Sequence, residues 1–67
     1  MLEKCCRCKK TFNVPPERGL EELEFLERRE YQVDIYPLYY KVYNNGGYLD
    51  YVFLSDEDFR KNFDLIL

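Results

Sequence analysis

The stretch that most constrains the fold is Leu38 to Leu54, LYYKVYNNGGYLDYVFL, where two β-rich runs flank Asn44-Asn45-Gly46-Gly47. Asn and Gly accept the positive φ that tight antiparallel turns demand, so the stretch predicts a β-hairpin. Whether Asn45-Gly46 alone or all four residues form the turn, Tyr43 falls opposite Tyr48. Counting outward sets Val42 against Leu49, Lys41 against Asp50, Tyr40 against Tyr51, Tyr39 against Val52 and Leu38 against Phe53. Alternation along a strand then gives an apolar face of Leu38, Tyr40, Val42, Leu49, Tyr51 and Phe53. This is the expected core side. The outer side would carry Tyr39, Lys41, Tyr43, Tyr48, Asp50 and Val52, with Lys41 and Asp50 as an opposite-charge pair across the ladder.

The flanking segments complete an α+β expectation. Lys10 to Val14 alternates as a short strand, with Phe12 and Val14 inward, and Pro15-Pro16 ends it. In residues 17–29, Leu20, Leu23 and Leu26 recur at helical spacing, with glutamates early and Arg28-Arg29 late, which predicts a helix near 17–29. Tyr31 to Tyr36 alternates again, with Tyr31, Val33 and Ile35 on one face. The inward parity changes from odd to even at Pro37, which points to a bulge or corner there and to pairing of residues 31–35 with Lys10–Val14. Ser55 precedes Asp56-Glu57-Asp58 as an N-cap, Leu54 and Phe59 suit a hydrophobic staple, and Phe59, Phe63 and Ile66 share one face of a C-terminal helix near 56–66. The expected architecture is one domain, residues 1–67, built on a small antiparallel sheet centred on the 38–54 hairpin. The C-terminal helix lies on its core face, and a basic, Cys-rich segment, residues 1–9, sits at an edge.

Sixty-seven residues bury only about 60% of their unfolded surface, so stability is marginal unless oligomerisation, a metal or a disulfide helps. The chain is 46% hydrophobic and 18% aromatic, too rich in core formers for a disordered segment. It has no apolar run of membrane-spanning length and begins without a signal-like segment, so a soluble, cytoplasmic protein with no membrane partner is expected. The absence of Ala, beside many Tyr, Phe and Asn, points to an AT-rich coding source such as a phage or a low-GC bacterium. The net charge of −3 is unevenly spread. Residues 1–10 carry four basic side chains against one acidic, and the rest carry six basic against twelve acidic. The acidic body argues against general nucleic-acid binding. Lys4, Arg7, Lys9 and Lys10 form the only basic segment suited to phosphate.

Cys5 and Cys8 are spaced C-x-x-C and are followed by Lys9-Lys10-x-Phe12. Over residues 4–12 this resembles one knuckle of a zinc ribbon, and the resemblance implies two thiolates on a tight turn with an aromatic packed beneath them. No Cys or His follows Cys8 to form the second knuckle. A structural zinc needs four ligands. Cys6 could add a third thiolate and a carboxylate a fourth, or two chains could share one ion through their Cys5 and Cys8. Otherwise the cysteines are reduced thiols that pack as small apolar groups. Zinc is the one cofactor the sequence suggests.

The expected outer hairpin face offers a second candidate site: Tyr36, Tyr39, Tyr43, Tyr48 and Val52. Tyrosine suits protein interfaces because it buries a large area while keeping a polar tip. The alternative is that the first helix covers these tyrosines as a second core layer. The glutamates of residues 17–30 suit a solvated helix face. Catalysis is not indicated: histidine is absent, the single serine is assigned to a cap, and no general base accompanies the thiols. The expected function is a non-enzymatic module, an inhibitor or adaptor that binds a larger protein. A zinc-knuckle protein touching nucleic acid through its N-terminus, or a homodimer formed by a sheet edge or the tyrosine face, are the alternatives.

Overall fold

A computed structural model describes residues 2–15, 22–44 and 50–66. The elements run β1 (Leu2–Cys8), β2 (Phe12–Val14), β3 (Leu23–Phe25), β4 (Glu30–Ile35), β5 (Tyr39–Tyr43), β6 (Tyr51–Ser55), α1 (Asp56–Asn62) and β7 (Phe63–Ile66). Five strands form one antiparallel sheet in the order β6-β5-β4-β1-β7, and β2 pairs with β3 in a separate ribbon. The fold is a small α+β structure dominated by strands.

The core lies between one face of the sheet and a second layer made by the β2–β3 ribbon and α1. Cys6, Cys8, Tyr31, Val33, Tyr40, Val42 and Phe63 enter it from the sheet, Phe25 from the ribbon and Phe59 from the helix. Phe25 is fully buried. Its ring stacks on Phe12 at 5.2 Å and meets Tyr31 and Phe63 edge-on at 4.9 and 5.6 Å. Phe59 stacks on Tyr40 at 4.1 Å and on Phe63 at 5.4 Å, which fixes α1 on the core face. Such ring pairs each add about 0.5–1.5 kcal/mol to the burial itself.

Several expectations are corrected. Residues 22–29 are not helical, and the rest of the expected helix lies outside the described residues. Glu22 and Glu24 are exposed while Leu23 and Phe25 point inward, the period of a strand. After Phe25 the chain reverses through a turn in which Arg29 N–H donates to the Leu26 carbonyl at 3.1 Å. Arg28 adopts a positive φ of 69° there. That conformation costs a residue with a Cβ about 1 kcal/mol, and it persists because Arg28 N–H reaches the Cys8 carbonyl at 2.8 Å. The last helix stops at Asn62 rather than running to residue 66. Phe63 is its C-cap in extended conformation and opens β7. The cap at the other end is as expected, with Asp58 N–H donating to Ser55 Oγ at 3.2 Å.

Strand β4 pairs with β1 and β5, not with Lys10–Val14. Ile35 faces Tyr40, and Tyr36 N–H donates to the Tyr39 carbonyl at 3.0 Å, so Pro37-Leu38 is the tip of a two-residue hairpin. Such a tip converts odd inward positions into even ones without a bulge or corner. Leu38 is 85% exposed there instead of buried. Strand β1, expected at an edge, lies inside the sheet between β4 and β7.

The 38–54 hairpin forms with a different register. Tyr43 faces Tyr51, Val42 faces Val52, Lys41 faces Phe53 and Tyr40 faces Leu54. Relative to the expected pairing, the second strand is displaced by three residues. An odd displacement exchanges its faces, so Val52 and Leu54 pack on the core while Tyr51 and Phe53 turn outward. Asn44 explains the shift. It is buried rather than part of an exposed turn, its Nδ2 donates to the Glu24 carbonyl at 2.8 Å, and its N–H closes on the Asp50 carbonyl at 2.7 Å. Leu49 and Tyr48 lie outside the described residues.

Candidate functional site

The sheet face opposite the core carries no second layer among the described residues. Its outward positions follow from the ladders: Tyr39, Lys41 and Tyr43 on β5, Tyr51 and Phe53 on β6, and Gln32 and Asp34 on β4, with Tyr36 just beyond. The rings form a continuous strip. Tyr36 stacks on Tyr39 at 4.7 Å, Tyr39 meets Phe53 edge-on at 5.3 Å, Phe53 meets Tyr51 at 5.3 Å, and Tyr51 meets Tyr43 at 6.2 Å. Phe53 is 55% exposed and Tyr39 39%, so large apolar surface is left open.

Lys41 does not pair with Asp50. Its ammonium sits 4.2 Å from the Tyr51 ring centroid, 5.1 Å from Tyr43 and 5.9 Å from Phe53, a three-ring cation–π arrangement. A hydrogen bond to the Tyr43 hydroxyl raises the Lys41 pKa. Tyr43 in turn donates to Asp34 Oδ2 at 2.7 Å, and that bond, with burial, raises the Tyr43 pKa. Asp34 is 5% exposed, and its Oδ1 has no hydrogen-bond partner among the described residues. The relay Lys41–Tyr43–Asp34 therefore links a buried carboxylate to a surface cation through one hydroxyl. It holds the strip at its centre.

Of the expected interface residues, Tyr36, Tyr39 and Tyr43 lie on this face. Val52 lies on the core side, and Tyr48 is outside the described residues. Tyr51 and Phe53 belong to the face although the sequence assigned them to the core. The ribbon β2–β3 covers the opposite side of the sheet, so these tyrosines are not a second core layer under it.

The cysteines occupy a strand, not the tight turn of a knuckle. Along β1, Cys6 and Cys8 point into the core at 0% and 1% exposure, and Cys5 lies on the outer face opposite Gln32 and Ile66. Cys5 and Cys8 therefore point to opposite sides of the sheet, since residues three apart in a strand do so. Burial, reinforced by the two neighbouring thiols, pushes the Cys6 pKa up to about 12. Burial also raises that of Cys8, whose thiol donates to the Lys10 carbonyl at 3.1 Å. Among the described residues, no group of three or more His, Cys, Asp or Glu is placed to hold a metal ion.

The basic residues are likewise dispersed. Arg7 pairs with Glu30 at 3.1 Å on the outer face, and Lys4 points to the opposite side. Lys9 reaches the Arg60 carbonyl at 2.7 Å and Asp64 at 3.5 Å, while Lys10 is exposed. A shallow cavity of about 160 Å³ lies beside Lys9, over Tyr40, Phe59 and Phe63, and its cations are already engaged by Asp56 and Asp64. Among the described residues no helix is long and apolar enough to cross a membrane. No family model matches the chain, and no curated protein or solved structure is detectably similar to it.

Proposed function

We propose that the chain is a non-enzymatic protein-binding module, an inhibitor or adaptor that engages a larger protein through the aromatic outer face of its sheet. The observation that supports this is the strip Tyr36–Tyr39–Phe53–Tyr51. It is a connected set of rings, partly exposed, on a face left uncovered among the described residues. Aromatic side chains lose little entropy on docking and bury large areas, which makes them frequent energetic centres of interfaces. Lys41 supplies a polar, charged point within the strip. The single serine is engaged in capping α1 and two of the three thiols are held protonated by burial, which leaves few groups for covalent chemistry.

Site-specific photo-crosslinking tests this. Benzoylphenylalanine at position 39 or 53 should capture one defined protein from an extract of the native host. The same probe at exposed Glu24, on the ribbon, should not. Equal capture at all three positions, or capture at position 24 alone, would place the interface elsewhere.

A further inference from the structure

The two edges of the five-stranded sheet differ. Edge β7, Phe63–Ile66, carries Asp64 in its middle, with Lys9 at 3.5 Å. A charge inside an edge strand is a common device against unwanted strand addition. Edge β6, Tyr51–Ser55, has no charge, no proline and no glycine, and its outward side chain Phe53 is 55% exposed. Nothing within β6 discourages another strand from joining it.

What flanks β6 selects the strand that joins. Residues 50–58, DYVFLSDED, contain four carboxylates and no basic side chain. Asp50 stands at one end of the strand, and Asp56, Glu57 and Asp58 stand at the other, all exposed. Only Asp56 has a cationic partner among the described residues, Arg60 at 2.9 Å. A second copy of this chain is a poor occupant. Antiparallel self-pairing centred on Phe53 would set Asp50 of one copy against Asp56 of the other, and like charges directly opposed destabilise a ladder. An extended segment with apolar side chains in its middle and Lys or Arg at both ends matches every feature. Its backbone would bond to the β6 edge, its outward side chains would rest beside Phe53 and Tyr51, and its cations would meet the two acidic ends.

We infer, resting on the protein-binding reading above, that the partner docks by adding a basic-flanked β-strand to β6. Recognition then divides as strand-addition complexes commonly do: main-chain bonds give affinity, while alternate side chains and the charged flanks give specificity. Screening by salt weakens the second contribution.

The test uses the full chain, isotopically labelled for NMR, and two synthetic peptides. One has five alternating valines and threonines flanked by two lysines at each end, and the other has glutamates in place of the lysines. The lysine peptide should protect amides of Tyr51–Ser55 from exchange and leave those of Phe63–Ile66 unchanged. The glutamate peptide should bind at least tenfold more weakly. Phe53→Lys should abolish binding. Should that variant lose its fold, Asp50→Asn with Asp58→Asn, both at exposed positions, should still weaken the lysine peptide about fivefold. Equal affinity for the two peptides, no binding of either, protection at β7, or dimerisation of the free chain through β6 would each overturn the inference. Position-specific crosslinking at 39 and 53 without β6 protection would overturn strand addition alone and leave the aromatic interface standing.

Discussion

Replacing Tyr43 with phenylalanine should show how much of the outer face depends on one hydroxyl. That hydroxyl donates to Asp34 Oδ2 at 2.7 Å, and the carboxylate is 5% exposed with Oδ1 unpartnered among the described residues. A hydrogen bond to a charged group contributes about 1.5–3 kcal/mol, and removing it here leaves a buried carboxylate to bear part of its desolvation cost. We expect a loss of about 3 kcal/mol, compared with roughly 3–10 kcal/mol of total stability for a chain of this length. With a urea m value of about 1 kcal/mol/M, the midpoint should fall by about 3 M, followed by tyrosine fluorescence or far-UV circular dichroism. Asp34→Leu alone strands only a neutral hydroxyl, which Lys41 can still reach, and should cost about 1 kcal/mol. The double variant should be less destabilised than the two singles added, with a coupling of about 2 kcal/mol. A midpoint shift below about 0.5 M for Tyr43→Phe, or strict additivity, would refute the view that this hydroxyl carries the buried charge.

Thiol reactivity should be graded by strand alternation: an aromatic disulfide reagent should titrate one cysteine, Cys5, in the native protein and all three in denaturant. Stability should fall as pH rises from 9 towards 12. Cys6 keeps its proton in the fold to about 12 while the unfolded thiol releases it near 9.0, so the unfolded state binds fewer protons in that window. Tyr40 and Tyr43, also shifted upward, act in the same direction above pH 10, and alkaline melts would detect the slope. Asp56 behaves oppositely: the Tyr40 hydroxyl and Arg60 lower its pKa, so its contribution is present above pH 3.8 and is lost as the solution is acidified below that. Phe25→Ala should cost about 3–5 kcal/mol and leave poorly dispersed NMR spectra. Ser55→Ala should cost about 1 kcal/mol in the same urea assay.

The parts of the fold that were legible in the sequence are those where one parity is apolar and the other is not. Tyr31, Val33 and Ile35, and Tyr40 and Val42, alternate cleanly, and they enter the core as read. Tyr51-Val52-Phe53-Leu54 is apolar at both parities, so alternation carries no information about which pair faces inward. The decision falls to Asn44, whose side chain is tied to β3, and to Ser55, which fixes where α1 begins. Segment 20–26 fits both periods. Leu20, Leu23 and Leu26 suit a helix, yet Leu23 and Phe25 suit a strand, and the space for one ring among Phe12, Tyr31 and Phe63 selects the second. Local propensity yields there to tertiary packing.

For the site, the sequence placed Tyr36, Tyr39 and Tyr43 on a common face and misplaced Val52, Tyr51 and Phe53 for the same reason of parity. For Cys6 and Cys8 it left metal ligation and apolar packing both open, and both side chains are buried in the core. Asp34 gave no sequence signal, because nothing local distinguishes a buried aspartate from an exposed one. Only the register that brings Tyr43 above it does so.

The pairing of β1 with β7 has a mechanical consequence. The two strands are antiparallel, with Cys5 opposite Ile66 and Cys8 opposite Phe63, so residues 2 and 66 lie toward the same end of neighbouring strands. Tension applied between those residues acts at right angles to both strands and parallel to the hydrogen bonds, which break one rung at a time. Such a sheet peels where a sheared one would resist. Unfolding machinery pulling on the chain beyond Ile66 would load the edge strand alone, and the first event would be the detachment of β7 from beside Cys6 and Cys8.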